Sequence, residues 1–453
     1  MTTSPPPPHP RPALAALPVY KPGRSAEVAM ADHDLDSAVK LASNENPFSP
    51  LPSVLAAIDR SATDSLNRYA DHRAMALRTA LASRLGLPAE QIGVGCGSVG
   101  LLQQILLAYA DPGDEVLYGW RSFEAYPIYT TIVGATAVTV PNRFETLDMA
   151  AMTKAVTDRT RVVFVTSPNN PTGTVVRHEE LVALLDAVPP NCLVVLDEAY
   201  HEYVTGRHAP DALALLAERP NLAVLRTFSK AYGLAALRVG YVLAHPDVVS
   251  AIDQVLVPFA VNGLGQAAAL ASLDADDELA VRVADVVTER ERVAGALRRR
   301  LGLSVPDPEA NFVWLPAGER AADLTVALER AGLVTRPFPG EGVRITIGTA
   351  ADDDRVLDAI EALAGPLGLA DSWLLPVGAR ASQVQTVVER IDAAAKERET
   401  DDAATTRRSL DALRAYVAGL SEAHWSRVGG HLDELDLDHV EQHLAQLAGL
   451  VDG

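Results

Sequence analysis

The sequence contains little cysteine, with Cys96 and Cys192 the only two in 453 residues. Two thiols cannot form the disulfide framework of a small secreted protein, so we expect a reduced, cytoplasmic location. Basic side chains are also scarce, because 39 Lys and Arg stand against 59 Asp and Glu for a formal net charge of −20. Since binding to a phosphate backbone needs a basic surface, this balance argues against nucleic acid as the main partner.

Long apolar runs are missing too. No stretch of 18 or more apolar residues occurs, so we predict no membrane-spanning helix. The first residues, MTTSPPPPHPRP, contain neither a basic n-region nor an apolar core, so we expect no secretory signal. Hydrophobic residues nevertheless make up 48% of the chain, which is typical of a globular protein with a sizeable buried core. The length favours two to three domains, or one large enzyme core with appendages.

Short β-branched runs alternate with helical patterns from residue 91 onward. The predicted strands are residues 91–95, 115–118, 136–140, 161–166, 192–196, 222–227 and 238–243. Apolar residues at helical spacing lie between several of these runs, as at 99–109 and 179–188. This alternation predicts parallel βαβ units and an α/β fold with a doubly wound sheet.

The rest of the chain predicts further helices and a smaller α/β domain. Residues 247–301 have the pattern of two or three long helices. The smaller domain is predicted from strands at 311–315 and 343–348 and helices at 321–331 and 352–364. Beyond about Trp373, apolar residues recur at helical spacing without a strand run, which predicts an appended segment of about three helices. This segment is acidic, and we interpret its charge as a solvated helical face rather than an interaction surface.

These patterns predict five regions along the chain. They are a proline-rich flexible arm at 1–18, an N-terminal segment of the small domain at 19–50, a large domain at 51–260, connecting helices and the small domain at 261–371, and the appended helical segment at 372–453.

The segment TFSKAYGLAALR at 227–238 is the most informative motif. It places Lys230 directly after an apolar strand, whereas lysines usually lie on solvated faces. The hydroxyls of Thr227 and Ser229 and the guanidinium of Arg238 are the donors that a phosphate monoester needs. A lysine beside a phosphate site is what a pyridoxal phosphate enzyme requires, since its amine must condense with the aldehyde as a Schiff base.

A second motif, VVLDEAY at 194–200, ends a predicted strand with a carboxylate. Asp197 emerges at the carboxyl end of that strand, where open α/β sheets bind ligands. A carboxylate there can keep a pyridinium nitrogen protonated, and Tyr200 can reach the phenolic oxygen of the same ring. A strand followed by Asp-Glu also fits a magnesium-binding Walker B motif, but the chain has no Gly-x-x-x-x-Gly-Lys-Ser/Thr loop to accompany it.

Two loops complete the pattern. The segment SPNNPTG at 167–173 predicts a rigid loop at a strand end, with Asn170 as a side-chain donor. The segment GCGSV at 95–99 lies between a strand and an apolar helix, where backbone N–H groups can cradle a phosphate. We interpret Cys96 in this loop as a small packed residue, because no histidine lies nearby in the sequence to activate it.

Together the four motifs resemble the fold-type-I pyridoxal phosphate aminotransferases, in the subgroup that contains histidinol-phosphate and aromatic amino acid aminotransferases. The resemblance covers about residues 20–369. It implies a mostly parallel seven-stranded sheet sandwiched by helices, a smaller α/β domain, a homodimer and pyridoxal 5′-phosphate as the cofactor, without a metal.

The resemblance also implies that Lys230 forms the Schiff base, Asp197 pairs with the pyridine nitrogen, and Asn170 and Tyr200 bind the ring oxygen. Lys230, Asp197 and Tyr200 are the expected catalytic residues. The implied phosphate cup consists of Gly97, Ser98, Val99, Thr227, Ser229 and Arg238.

The same resemblance implies roles for five more residues. Phe123 matches the aromatic residue that stacks on the ring, and Tyr69 matches a tyrosine that reaches the phosphate of the neighbouring subunit. Arg344 matches the arginine that binds the substrate α-carboxylate. Arg336 stands where the family can place a second arginine at the distal end of the substrate, although a surface position on a loop fits equally well. Tyr20 is expected among the substrate-binding residues.

The substrate class follows from a finer resemblance. The segment WRSFEAYP at 120–127 differs from the Pro-Thr-Tyr-x-Met-Tyr pattern of histidinol-phosphate enzymes and looks like that of actinobacterial aromatic aminotransferases. The expected reaction is transfer of the amino group of an aromatic L-amino acid to 2-oxoglutarate, giving the aryl-pyruvate and L-glutamate. Histidinol phosphate is the alternative donor.

Two other protein classes share parts of this pattern. A pyridoxal-phosphate-dependent decarboxylase has the same cofactor residues and remains an alternative. A transcription regulator with an aminotransferase-like domain carries a basic helix-turn-helix module ahead of that domain. Here a proline-rich arm of about 18 residues stands in that place, so a regulator is disfavoured.

Overall fold

The structure, a computed structural model, describes residues 11, 17, 23–301, 303 and 305–364. The predicted appended segment at 372–453 lies outside the described residues, as do Tyr20 and nearly all of the predicted arm at 1–18.

The strands follow one another along most of the described chain. In chain order they are β1 (Val39–Lys40), β2 (Ile92–Cys96), β3 (Glu115–Trp120), β4 (Thr136–Pro141), β5 (Thr160–Thr166), β6 (Leu193–Asp197), β7 (Leu222–Thr227), β8 (Val239–Ala244), β9 (Phe312–Leu315), β10 (Leu333–Val334), β11 (Arg336–Phe338) and β12 (Gly342–Thr346).

Helices connect these strands and cover them. In chain order they are α1 (Ala26–His33), α2 (Pro52–Ser65), α3 (Met75–Leu85), α4 (Gly97–Tyr109), α5 (Ala125–Val133), α6 (Met149–Ala155), α7 (His178–Ala187), α8 (Ala212–Glu218), α9 (Pro246–Gln254), α10 (Gly263–Leu273), α11 (Asp276–Leu301), α12 (Ala321–Arg330) and α13 (Ala350–Ala364). Short 3₁₀ turns occur at Ala89–Gln91, His201–Tyr203, Ala235–Leu237 and Gly318–Arg320.

A seven-stranded sheet forms the centre of the large domain. Its strand order is β2-β8-β7-β6-β5-β3-β4, and the pairs from β4 across to β7 are all parallel. The predicted parallel sheet is therefore correct for most of its width. Strand β8 is the exception, because it runs antiparallel to both β7 and β2. It follows β7 through a short loop with a 3₁₀ turn, and parallel pairing would need a crossover of a dozen or more residues.

The sheet is buried on both faces, which explains why its strands are almost continuously apolar. Along β6, Val194 and Leu196 pack in the cluster that includes α3, α7 and α10, whereas Leu193 and Val195 pack in the cluster that includes α4 and α9. This alternation follows from the two-residue period of a strand. The doubly wound arrangement is the one that the sequence predicted.

A smaller antiparallel sheet lies beside the large one. It consists of β11, β12 and β9 in that order, and α12 and α13 contribute to its core. The N-terminal strand β1 pairs in parallel with β10, so the chain before residue 50 joins this part of the protein. The predicted strands at 311–315 and 343–348 correspond to β9 and β12. Patterns alone missed β1, β10 and β11, which are two or three residues long and too short to show a period.

The helical region predicted at 247–301 contains three helices, α9, α10 and α11, as the sequence allowed. Only α11 is long, with 26 residues, and it carries three acidic side chains in its first turn, where the helix dipole favours negative charge. Within the described part of the chain, none of the helices combines the length and apolar character needed to cross a membrane.

Candidate active site

A cavity lies between the carboxyl ends of the central parallel strands and the small sheet. From the large domain it is lined by residues that follow β2, β3, β5, β6 and β7, and from the small sheet by Arg336, Phe338 and Arg344. The segment between β1 and α2 adds Ala42, Ser43 and Asn44. This is the edge at which open α/β sheets bind ligands, because several loops converge there.

One end of the cavity is built to hold an anion. Helix α4 begins at Gly97, directly after β2. The unpaired N–H groups of its first turn therefore form a positive helix end that can bind an anion. Gly97 has a φ of +70°, and a Cβ at this position would lie 2.3 Å from Arg238 Nη2. Gly240 is equally confined, because a Cβ there would lie 2.4 Å from the backbone nitrogen of Ser98. The two glycines let strand β8, helix α4 and Arg238 approach one another.

Side-chain donors complete this end of the cavity. Arg238 donates from Nη1 to Ser229 Oγ at 3.0 Å and to the carbonyl of Ala235 at 2.8 Å, which fixes the guanidinium. Ser98, Val99, Thr227 and Ser229 line the same cavity. Two hydroxyls, a guanidinium and a helix N-terminus are the donor set of a phosphate monoester, so these residues fit the phosphate of pyridoxal phosphate.

Lys230 lies in the centre of the cavity wall. Its Nζ donates to the carbonyl of Ser43 at 3.1 Å and lies 5.8 Å from the centre of the Tyr200 ring. Desolvation lowers the pKa of this amine to about 7, and the positive charges of Arg344 and Arg238 act in the same direction. An amine with such a pKa is available as the neutral base near pH 7, which nucleophilic and proton-transfer chemistry both need.

Asp197 is held at the tip of β6 in a hydrogen-bonded site. The carboxylate accepts from the hydroxyl of Tyr126 at 2.8 Å and from the backbone N–H of Ala199 at 3.3 Å. Tyr126 in turn lies 2.7 Å from the hydroxyl of Thr166, the residue opposite Asp197 on β5. Burial raises the pKa of Asp197 to about 6, and the hydrogen bond from Tyr126 opposes that rise. A buried carboxylate of this kind fits a protonated ring nitrogen, whose positive charge would favour its ionised form.

Tyr200, Asn170 and Arg344 all line the cavity. The hydroxyl of Tyr200 accepts from Asn44 Nδ2 at 2.8 Å, which orients the phenol. Arg344 donates from Nη1 to Asn170 Oδ1 and from Nη2 to the carbonyl of Ala42 at 2.6 Å. The large domain, the small sheet and the N-terminal segment therefore meet at one guanidinium.

Arg336 lies on β11 directly opposite Arg344 on β12. Its Nη2 forms an ion pair with Glu124 Oε2 at 2.7 Å, and both side chains line the cavity. This position favours the site interpretation of Arg336 over the surface one. Phe123, the residue before Glu124, lines the cavity too.

One residue assigned from the resemblance lies away from the cavity. Tyr69 is 84% exposed, does not line the cavity, and stacks on Phe259 with ring centres 4.5 Å apart. An exposed aromatic pair is compatible with a residue that acts in a neighbouring subunit, as the resemblance implies. Tyr20 lies outside the described residues. Cys96 and Cys192 are free thiols, half-buried and buried respectively.

The structure also brings residues to the cavity that sequence reasoning missed. Ala42, Ser43, Asn44, Glu124 and Phe338 line it, and Tyr126 supports it through its hydrogen bond to Asp197. Asn44 had a detectable signal, because the polar run SNENP at 43–47 is typical of a turn, and Asn44 adopts a φ of +53° that asparagine tolerates. The partners of Tyr126 and Glu124 are distant in sequence, and no local pattern reveals them.

A metal centre finds no support in the described part of the chain, where no group of three or more His, Cys, Asp or Glu side chains could hold an ion.

Comparison with known proteins agrees with this geometry. The family model "Aminotransferase class I and II" matches residues 36–360. The aromatic amino acid aminotransferase of Thermobifida fusca is 58% identical over 351 residues, which cover 78% of this chain and 96% of that protein. The enzyme of the same name from Streptomyces avermitilis is 52% identical over 352 residues, again 78% and 96% of the two chains.

Among solved structures, histidinol-phosphate aminotransferase from Sinorhizobium meliloti, in complex with pyridoxal-5′-phosphate, superposes with a TM-score of 0.70. The two chains are 31% identical, and the match covers 78% of this chain and 98% of that one. The family match spans most of the chain, and the fold is the fold-type-I architecture that the sequence motifs implied. The chain therefore belongs to the class I and II aminotransferase family.

Proposed function

We propose that this aminotransferase binds pyridoxal phosphate at Lys230 and transfers the amino group of an aromatic L-amino acid to 2-oxoglutarate. The observation that carries the proposal is the position of Lys230, whose Nζ faces the cavity between the anion cradle and Arg344 and has a pKa near 7. The names of relatives that are 58% and 52% identical support the aromatic substrate.

Each residue has a task that follows from its surroundings. When bound, pyridoxal phosphate would supply an aldehyde that condenses with amines and a ring that accepts the electrons released at the substrate Cα. The N-terminus of α4 and Arg238 would hold the phosphate, and Asp197 would keep its charge opposite the ring nitrogen. Tyr200 and Asn170 would donate to the ring oxygen.

Proton transfer falls to Lys230. Its Nζ is the base that the cavity offers at about pH 7, and it would remove a proton from the substrate Cα and deliver one to the carbon that the cofactor's aldehyde supplies. Arg344 would orient the substrate by its α-carboxylate, since a guanidinium presents two parallel donors to a carboxylate. Phe123 and Phe338 offer apolar surface to an aromatic side chain.

Histidinol phosphate is the second candidate donor. Arg336 supports it, because a second guanidinium at the cavity wall suits a distal phosphate. The similarity to the Sinorhizobium meliloti histidinol-phosphate enzyme points the same way, although at 31% identity it is weaker than the aromatic relatives.

A panel of amino donors tests the proposal. Phenylalanine, tyrosine, tryptophan and histidinol phosphate are each supplied with 2-oxoglutarate, and both glutamate and CO₂ are measured. We expect glutamate from the aromatic donors and no CO₂. Preferred use of histidinol phosphate would favour the second candidate, and CO₂ release without glutamate would favour a decarboxylase.

Reductive trapping tests the position of the cofactor. Borohydride should attach pyridoxal phosphate to Lys230, as found by peptide mass mapping. Lys230→Ala should lose both the attachment and transamination, whereas the exposed Lys154, replaced by Ala as a control, should change neither. Attachment to another lysine would contradict the assignment.

The enzyme is further proposed to act as a homodimer in the cytoplasm. Leu66, Tyr69, Val257 and Phe259 are large apolar residues that are exposed in the single chain, which is the kind of surface that a partner subunit covers. Sedimentation should give at least twice the 48.1 kDa chain mass. A fully active monomer would contradict the proposal.

A further inference from the structure

The wall of the cavity contains an ion pair whose role the proposed reaction leaves open. Glu124 Oε2 lies 2.7 Å from Arg336 Nη2, and the two residues are 212 positions apart in the chain. Arg336 is 13% exposed and Glu124 35%, so the pair is accessible from the cavity without being fully solvated. A pair in this setting attracts more strongly than one on the open surface.

Local helix structure does not explain Glu124. The residue precedes α5, but its side chain makes no capping hydrogen bond to that helix. The carboxylate instead reaches across to the small sheet. The position of Glu124 is therefore explained by its contact with Arg336 and not by capping of the helix.

Arg336 needs a negative partner for a physical reason. It is the cross-strand neighbour of Arg344, and residues directly opposite on an antiparallel pair project to the same face with Cβ atoms about 5 Å apart. Like charges in such positions repel each other. The lining residues also include Arg238 and the basic Lys230, so three guanidinium groups and an amine face two carboxylates, Asp197 and Glu124.

The two arginines are cross-strand neighbours that both line the cavity, so a dicarboxylate can meet one guanidinium with each of its carboxylates. With the α-carboxylate at Arg344, the distal carboxylate of 2-oxoglutarate or glutamate would meet the end of the cavity where Glu124 already occupies Arg336. An aromatic side chain carries no charge and would meet a pair with no net charge. Glu124 would therefore disfavour binding of a dicarboxylate but not of an aromatic substrate.

We propose that Glu124 is a specificity-determining residue that competes with the distal carboxylate of the substrate for Arg336. In the paired state Glu124 neutralises Arg336 and leaves a wall that accepts an aromatic ring. Binding of a dicarboxylate requires Arg336 to exchange Glu124 for the substrate carboxylate, so Glu124 weakens dicarboxylates relative to aromatic acids. Discrimination by a repulsive group is a common route to specificity. This inference rests on the proposed function, because it takes the two substrates from it.

Binding of two unreactive probes to the holoenzyme tests the inference. Glutarate represents the dicarboxylate and 3-phenylpropanoate the aromatic acid, and calorimetry gives both dissociation constants. In Glu124→Gln, which keeps the size of the side chain and removes its charge, glutarate should bind about tenfold more tightly. Binding of 3-phenylpropanoate should change by less than about twofold, since the ring makes no ionic contact.

A matched control separates this effect from a general change in charge. Glu341 forms an ion pair with Arg121, its side chain is also 35% exposed, and neither residue lines the cavity. Glu341→Gln should leave the glutarate dissociation constant within about twofold of the wild type.

The double variant tests the route through Arg336. In an Arg336→Met background, Glu124→Gln should no longer tighten glutarate binding, because position 336 no longer offers a guanidinium to the distal carboxylate. Equal changes for both probes, weaker glutarate binding in Glu124→Gln, or the same tightening in both backgrounds would overturn the inference. Failure of the wild-type holoenzyme to bind either probe would instead reject the proposed function, and the inference with it.

Discussion

The carboxyl edge of the seven-stranded sheet and the face of the three-stranded sheet contribute to the same cavity in different ways. At the large sheet, Lys230 and Asp197 are surrounded by protein, and desolvation moves their pKa values to about 7 and about 6. At the small sheet, Arg336 and Arg344 are held in place by carboxylate and carbonyl oxygens. The difference indicates that one sheet sets the reactivity of the site and the other sets what it recognises.

The roles of the two sheets can be separated by substitutions in each. Changes at the large sheet should lower the rate for every substrate while leaving carboxylate binding nearly intact. Changes at the small sheet should alter binding first.

Asp197→Asn should have the largest effect of these variants. The amide cannot hold a proton on the ring nitrogen by charge, so kcat should fall by about 10² to 10³ for all donors. The anion cradle is unchanged, so the cofactor should stay bound after desalting, as measured by its absorbance. The exposed Asp64, replaced by Asn, serves as the control. A kcat within threefold of the wild type would remove Asp197 from this role.

Arg344→Gln should weaken binding of both probe classes by a similar factor. Removing one partner of a partly desolvated charge pair costs about 2 kcal/mol or more, which corresponds to a factor of roughly 30. Glutarate and 3-phenylpropanoate both carry the carboxylate that Arg344 is expected to bind, so calorimetry should show parallel losses. Loss confined to glutarate would place Arg344 at the distal end and exchange its role with that of Arg336.

Tyr126→Phe should lower kcat by about fivefold near pH 8 and by more near pH 6. The Tyr126 hydroxyl lowers the pKa of Asp197, so its removal raises that pKa and leaves more of the carboxylate protonated in acid. The acid limb of the rate profile should therefore move to higher pH. Tyr118→Phe is a matched control, because Tyr118 is also buried in this core and its hydroxyl has no hydrogen-bond partner among the described residues. An unchanged rate profile would mean that the Tyr126 hydroxyl does not influence Asp197 and that the side chain contributes packing alone.

Lys230→Met should raise the thermal stability of the cofactor-free protein, by about 2–4 °C at pH 6. Because the pKa of Lys230 is lowered in the folded state, charging this amine destabilises the folded protein. Above the unfolded pKa of 10.5 this destabilisation is absent; it grows as the pH falls and is complete below about 7. The gain should therefore be smaller at pH 9 than at pH 6. Calorimetry with Lys154→Met as the exposed control measures it, and an equal shift at both pH values would contradict the assigned cause.

Local sequence was sufficient for the parts of the site that follow strands directly. Lys230, Asp197 and Asn170 were recognised because each comes at or just after the end of an apolar run, and parallel strands end at one edge of their sheet. The glycine-containing loop at 95–99 and the phosphate donors were visible for the same reason. The fold class followed from the alternation of strand and helix periods, which each segment shows by itself.

Tertiary structure decided which side chains act on these groups. Tyr126 reaches Asp197 across 71 residues, Asn44 reaches Tyr200 across 156, and Glu124 reaches Arg336 across 212. No period or turn signal links such positions, because they meet only after the sheets and the N-terminal segment have packed together. The antiparallel direction of β8 was decided in the same way, since a strand's own residues do not specify the direction of its neighbours. The sequence by itself thus determined the chemical groups that follow the strand ends. Only the packing of distant elements determined which other side chains join them, their pKa values and their ion partners, because all three depend on what surrounds a group in space.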